Sequence, residues 1–378
     1  MKRIHLLITI LVLLAIYLSA WHLLPAQEMD FLVVNKTVPQ TDYRGHESIF
    51  WLAEHWRIKD EDKEFKKHDA DYLGYHPETG QKDQVLANHL SGIDLLYLVD
   101  AYGVYDHADN LETYEKRLQE EEISVELEYG GFDQNEVDAV EKYASGKDSL
   151  LVGEHNIWGY PTYKDPEASR QLQELFEVNY EGWLIRYYEN LDDAPQWLKN
   201  LYGRIHGQEW NLRGSGIAVM REDVPALGWP EELLIFKDED LKKPWPTINN
   251  TNNSLTQGAA SAVPYLNWLE VVDPHENTEV LSYFNLPLSQ EAEKRLERRG
   301  LEAKIPAMIY HQTDEGAERI YFTGNFAHQL SPILPSRLTG SARIQHLLTY
   351  LPGVPEEYSF FFQWYAPVLQ NIMEKALT

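Results

Sequence analysis

Three runs of consecutive apolar residues constrain this chain most. They are Phe31-Leu32-Val33-Val34, ending at Asn35; Leu95-Leu96-Tyr97-Leu98-Val99, between Asp94 and Asp100; and Leu150-Leu151-Val152-Gly153. A strand with one wet face alternates apolar and polar residues, whereas one that is apolar at successive positions must be covered on both faces, as in a parallel sheet between helices. Parallel strands need long crossovers, and helical periods lie where crossovers are required. Residues 47–56 follow the first run after the turn-forming Pro39, and residues 133–145 precede the third, with Asp133 placed to cap them. Residues 166–176 and 194–205 read as further helices, Pro195 standing near a helix start, where proline is tolerated.

From Gly216 onward short strands dominate, at residues 217–220, 233–236, 280–284, 307–310 and 320–322, with one helix at 290–299. Residues 244–261 are dominated by Asn, Thr, Ser and Pro and read as an ordered loop or linker. Residues 358–377 are aromatic-rich, but Gln363, Gln370, Asn371 and Glu374 would be costly in lipid, so a packed C-terminal helix is expected. The fold class is therefore α/β: a parallel-sheet domain at residues 27–221, with a strand-rich extension at 222–378 that completes the sheet and ends in helices.

The N-terminus carries a different signal. Lys2 and Arg3 precede an almost unbroken apolar run over residues 4–24, which at ~1.5 Å per residue can cross a ~30 Å hydrocarbon layer. A cleaved signal peptide usually has a shorter apolar region of ~7–15 residues, and Leu24-Pro25-Ala26 is a weak cleavage site, so an uncleaved anchor at residues 1–26 is expected. Its basic flank keeps the N-terminus cytoplasmic and places the rest outside the cell membrane, with Trp21 and His22 at the far interface.

Composition narrows the partners. With 33 Lys and Arg against 60 Asp and Glu, the formal charge of −27 repels phosphate backbones and argues against nucleic acid. The absence of Cys removes disulfides, thiolate metal sites and a Cys nucleophile. No GxSxG, HExxH, Walker or GxGxxG motif is present. His68-Asp69-Ala70-Asp71 and His76 have metal-like spacing but lie in a charged segment poor in apolar neighbours, so neither a metal nor a cofactor is expected.

Sheets of this kind bind ligands beyond the carboxyl ends of their strands. Those ends are Asn35, the segment Asp100-Ala101-Tyr102-Gly103-Val104-Tyr105, and Gly153-Glu154-His155-Asn156, from which Trp158 follows closely. Glu154 and His155 are the pair best equipped for acid–base chemistry, although Asp100 and Asn156 can equally cap helices or tie down loops. Arg186 is a cation suited to an anionic group or to pairing with Glu154. Many of the 23 Tyr and 11 Trp stand among polar residues. Rings so placed suit sugar faces, and core packing accounts for many of them equally well.

The order of strand, strand, Tyr129-Gly130-Gly131-Phe132, helix from Asp133, Ser145-Gly146 turn and strand to Gly153 resembles the class I glutamine amidotransferase-like fold over about residues 30–221. The resemblance puts Glu154 where that family carries its catalytic Cys, and so implies the fold without glutaminase chemistry. A later segment, Ile320 to His328, is similar to the strand that brings a His to that family's active edge, which adds Asn325 and His328 to the candidates. The expectation is a membrane-anchored extracytoplasmic protein that binds a ligand such as a saccharide or envelope polymer, or that serves as an accessory in cell-envelope or polysaccharide processes. The alternatives are a hydrolase with Glu154 as base and His155 or His328 as partner, or a structural subunit of a membrane complex.

Overall fold

The structure is a computed structural model, and it describes residues 5, 9, 12, 16, 17, 19–105, 127–222, 224, 230–328 and 332–377. Fourteen strands form two sheets. They are β1 (Phe31–Asn35), β2 (Tyr72–His76), β3 (Gln81–Lys82), β4 (Leu95–Leu98), β5 (Leu150–Glu154), β6 (Val178–Tyr188), β7 (Gly216–Arg221), β8 (Glu232–Lys237), β9 (Thr247–Asn250), β10 (Val263–Pro264), β11 (Leu269–Pro274), β12 (Glu279–Asn285), β13 (Lys304–Gln312) and β14 (Glu318–Phe322). The larger sheet runs β10-β9-β12-β13-β14-β5-β4-β1-β2-β3. Its middle five strands, β14, β5, β4, β1 and β2, are parallel, and antiparallel strands extend both sides.

The parallel part behaves as its apolar runs require. Successive residues of β4 go to opposite faces. Leu96 and Leu98 join Val34 and Leu151 under helices α2 (Gln134–Ala144) and α3 (Pro166–Leu175) through Val137, Val140 and Leu172. Leu95 and Tyr97 join Val33 and Val152 on the other face, against α1 (Glu47–His55) and the C-terminal helices. Asp133 caps α2 by accepting from the Glu136 amide (3.0 Å), while the Glu136 carboxylate accepts from the Asp133 amide (3.2 Å), a capping box that fixes where the helix begins.

Strands from the C-terminal half are integral to this sheet, since β5 pairs directly with β14. Residues 244–261 are not simply a loop. They contain β9, whose Ile248 is buried opposite Phe284. The aromatic C-terminus folds as α7 (Glu356–Phe360), a π-turn over Phe361–Tyr365 and α8 (Ala366–Ala376), which bury Phe361, Trp364 and Tyr365 on the sheet. Helices α5 (Gln290–Glu297) and α6 (Ser341–Leu348) precede them in the chain.

The second sheet, β8-β7-β6-β11, is antiparallel. On β6, Trp183, Ile185 and Tyr187 face the main core, and the alternation sends Leu184 and Arg186 the other way. Helix α4 (Gln196–His206) covers part of that outer face through Leu198 and Leu201.

Ten of the 21 residues of the expected span, 4–24, lie outside the described residues, and among the described residues no helix is long and apolar enough to cross a membrane. Trp21 departs from the interfacial position expected for it. It is buried in the folded body, with its indole 5.5 Å from Phe65 and its Nε1 donating to the His55 carbonyl (3.0 Å).

Candidate functional site

The order β2-β1-β4-β5-β14 reverses direction between β1 and β4, and a crevice opens at such a point beyond the strand ends. Here the second sheet and helix α4 (Gln196–His206) lean over the carboxyl edge and enclose a cleft of about 870 Å³. Asp100, Tyr102, Tyr105, His155 and Asn156 line it from the main sheet; Arg186 and Glu222 line it from the second sheet; Trp197, Trp268 and Asn325 complete it.

Asn156 organises the floor. Its backbone takes a left-handed φ of +67°, a conformation asparagine tolerates better than most side chains. From there its amide donates to Glu270 Oε2 (3.2 Å), and its Nδ2 lies 3.5 Å from both Asp100 Oδ1 and the Tyr160 carbonyl. Asp100 also accepts from the Tyr102 amide (2.8 Å), which sets the path of the loop carrying the Tyr102 and Tyr105 rings, whose centres lie 5.0 Å apart with planes tilted by 45°. On the opposite wall Trp197 stacks on Trp268, with ring centres 6.1 Å apart and planes at 22°. Arg186 lies over both Trp268 and Tyr188, its guanidinium carbon 5.2 Å from each ring centre.

The carboxyls around this floor share one electrostatic condition. Burial raises Asp100 to about 6, Glu222 to about 7, and Glu154 and Glu270 to about 8. Hydrogen bonds from Tyr180 to Glu222 (3.1 Å) and from Tyr321 to Glu270 work against that shift without cancelling it. His155 is buried with its Nδ1 unbonded, 3.9 Å from Glu270 Oε2, and burial lowers its pKa to about 3, so it is a neutral imidazole.

Several expected residues sit elsewhere. Glu154 is fully buried and does not line the cleft. Its oxygens accept from Tyr97 Oη (2.8 Å) and the Ala327 amide (3.0 and 3.3 Å), and Tyr97 in turn meets Tyr365 Oη (3.0 Å). A carboxyl so enclosed is out of reach of a ligand in the cleft. Adjacent Glu154 and His155 point to different environments, as neighbours on a strand do. Trp158 is also core, 4.1 Å from the Tyr321 ring. His328 is exposed beside Arg44 in a smaller neighbouring pocket that Arg186 also borders. His68 and His76 do not converge: the His68 carbonyl meets His46 Nε2 (2.8 Å), whereas His76 pairs with Asp83 (2.6 Å).

Sequence reasoning missed Glu222, Glu270, Trp197 and Trp268. A usable signal existed for Glu270, a carboxylate set between Leu269 and Val271-Val272 in an apolar strand. Nothing local distinguishes Trp197 from a packing tryptophan.

At the other end of the edge, Lys36 is buried and bonded to the Glu136 carboxylate and the Gly131 carbonyl (2.6 Å). The second Glu136 oxygen accepts from the Val85 amide (3.0 Å), so this pair is fully bonded. The Gly131 backbone, at φ +72°, permits the turn that presents its carbonyl.

No protein-family model matches the chain, and no curated protein matches it. Among solved structures, a cytoplasmic protein of Salmonella typhimurium LT2 aligns with a TM-score of 0.39 at 13% identity, over 91% of this chain and 99% of that one. A protein described as ThuA-like, from Bacteroides uniformis ATCC 8492, aligns with a TM-score of 0.33 at 11% identity, over 80% and 84%. Likeness this distant carries no argument about what the chain does. The fold and the cleft define a mixed α/β protein with a ligand-sized crevice at the carboxyl edge of its parallel strands.

Proposed function

We propose that this is a membrane-anchored extracytoplasmic protein, with an amidotransferase-like fold that lacks glutaminase chemistry, whose cleft binds a saccharide of the cell envelope. One observation carries the binding part: the stacked Trp197–Trp268 pair on one wall and the tilted Tyr102 and Tyr105 rings on the other flank a floor of amide, carboxyl and imidazole groups. Stacking surfaces beside hydrogen-bonding groups match the two faces of a sugar ring. The location rests on Lys2, Arg3 and the apolar run over residues 4–24.

Binding is tested by titrating the protein with envelope oligosaccharides while following tryptophan fluorescence. Trp197 is 37% exposed, so replacing it changes the cleft more than the core. Trp197→Ala should weaken binding about tenfold. Failure of every oligosaccharide to bind the unmodified protein contradicts the reading. For location, a reporter fused after Thr378 should be active only outside the cytoplasm, and a cytoplasmic signal contradicts the topology.

A hydrolytic second reading draws on Asp100 and Glu222, whose pKa values of about 6 and 7 suit proton transfer and which both line the cleft. It replaces Glu154, which is enclosed, as the acid–base candidate. Glu222→Gln should abolish turnover of a bound oligosaccharide while preserving its binding. Equal turnover in the two proteins removes Glu222 from the chemistry.

A further inference from the structure

Three arginines line the cleft, and their surroundings differ. Arg204 is paired with Glu231 (Nη2 to Oε1 2.6 Å), and Arg221 donates to the Glu181 carbonyl (2.9 Å) with the Glu181 carboxylate 3.9 Å away. Among the described residues none is ion-paired to Arg186, and its Nε is buried without a hydrogen-bond partner. Its neighbours are the Trp268 and Tyr188 ring faces, which hold the guanidinium plane without supplying an acceptor. A partly buried guanidinium with an unused donor is stabilised by a planar anion that accepts from its fork.

We infer that Arg186 is an anion subsite of the cleft and takes the carboxylate of an acidic sugar unit. The inference rests on the saccharide reading and specifies its chemical class. The strong negative charge of the whole chain does not forbid it. At physiological ionic strength charges beyond about 8 Å are largely screened. Within the cleft, Glu231 is already paired with Arg204, while Asp100 and Glu222 hold their protons more readily than ordinary carboxyls. Glu357 borders the smaller pocket on Arg186's other side without forming an ion pair to it. An acidic sugar would therefore stack a ring on the Trp197–Trp268 wall with its carboxylate directed at Arg186.

The test titrates the full chain with linear tetrasaccharides of galacturonate and of glucuronate and with their methyl esters, which remove the charge and add one methyl group at each carboxyl. At least one acid should bind about tenfold or more tightly than its ester. Arg186→Gln should bring that acid down to its ester's affinity, and Arg186→Lys, which keeps the charge without the planar fork, should fall between. The acid-to-ester ratio on unmodified protein keeps the test decisive should Arg186→Gln fail to fold. If acids and esters bind alike, or only neutral oligosaccharides bind, the subsite is wrong and the saccharide reading survives. If no saccharide binds, both fall together.

Discussion

The two ends of the carboxyl edge bury charge in opposite ways. Beside β1, Lys36 and Glu136 are both buried and bonded to each other, with the remaining carboxylate oxygen satisfied by a backbone amide. Burial lowers the Lys36 pKa, and the Glu136 charge opposes that shift. Beside β5, Glu154 is equally buried but has only a tyrosine hydroxyl and a backbone amide for company, and Glu270 resembles it. Without a cation, desolvation wins there and both are raised to about 8. The first end is an ion pair that ties strand to helix; the second is a set of neutral acids around a cleft.

The sharpest way to break the comparison is to remove one carboxyl from each end. Glu136→Ala strands a buried ammonium and should cost about 3–5 kcal/mol in denaturant unfolding. Glu154→Gln replaces a neutral acid with a neutral amide of similar shape and should cost less than about 1 kcal/mol at pH 7. Equal losses would mean that Glu154 is ionised.

A pH series sharpens the same contrast. A carboxyl held at about 8 in the fold, against an ordinary 4.5, stabilises fully below pH 4.5 and loses that contribution as pH rises through 8. The buried neutral imidazoles His46 and His155 act in the other direction, but only below about pH 6.5. Between pH 6.5 and 8 unfolding free energy should therefore fall as pH rises, and each such carboxyl contributes up to about 1.4 kcal/mol per pH unit. Glu154→Gln should flatten the slope by one such share, while a slope unchanged in the variant would show that Glu154 does not titrate there.

Smaller effects separate the lock on Glu154 from the cleft. Tyr365→Phe removes the hydroxyl that meets Tyr97 and should cost about 1 kcal/mol, leaving ligand binding intact. Trp197→Ala should change stability by no more than about 0.5 kcal/mol while weakening saccharide binding, as measured by parallel melts and titrations. A large stability loss would place Trp197 in the packing of α4 instead.

What could be read from the sequence follows from how local each cause is. The apolar runs at Phe31, Leu95 and Leu150 identified buried parallel strands because burial on both faces leaves no polar position. Asp133 announced α2 because its cap lies three residues from its partner. β2 was hidden because Tyr72 to His76 alternates around a glycine amid charged neighbours, and its burial comes from pairing with β1. The cleft was half legible: Asp100, His155 and Asn156 lie at strand ends, whereas Trp197, Glu222 and Trp268 reach it through the packing of the second sheet, which no local pattern encodes. Glu154 was read from sequence as the acid–base candidate of the cleft, but the Tyr97 and Ala327 contacts that enclose it lie 57 and 173 residues away in sequence.

The most direct test of a neutral acid beside the cleft is infrared difference spectroscopy between the unmodified protein and Glu154→Gln across pH. At pH 7 the unmodified protein should show the carbonyl stretch of a protonated carboxylic acid that the variant lacks, and this band should titrate away with a midpoint of about 8. A difference spectrum at pH 7 containing only ionised carboxylate bands would contradict the account.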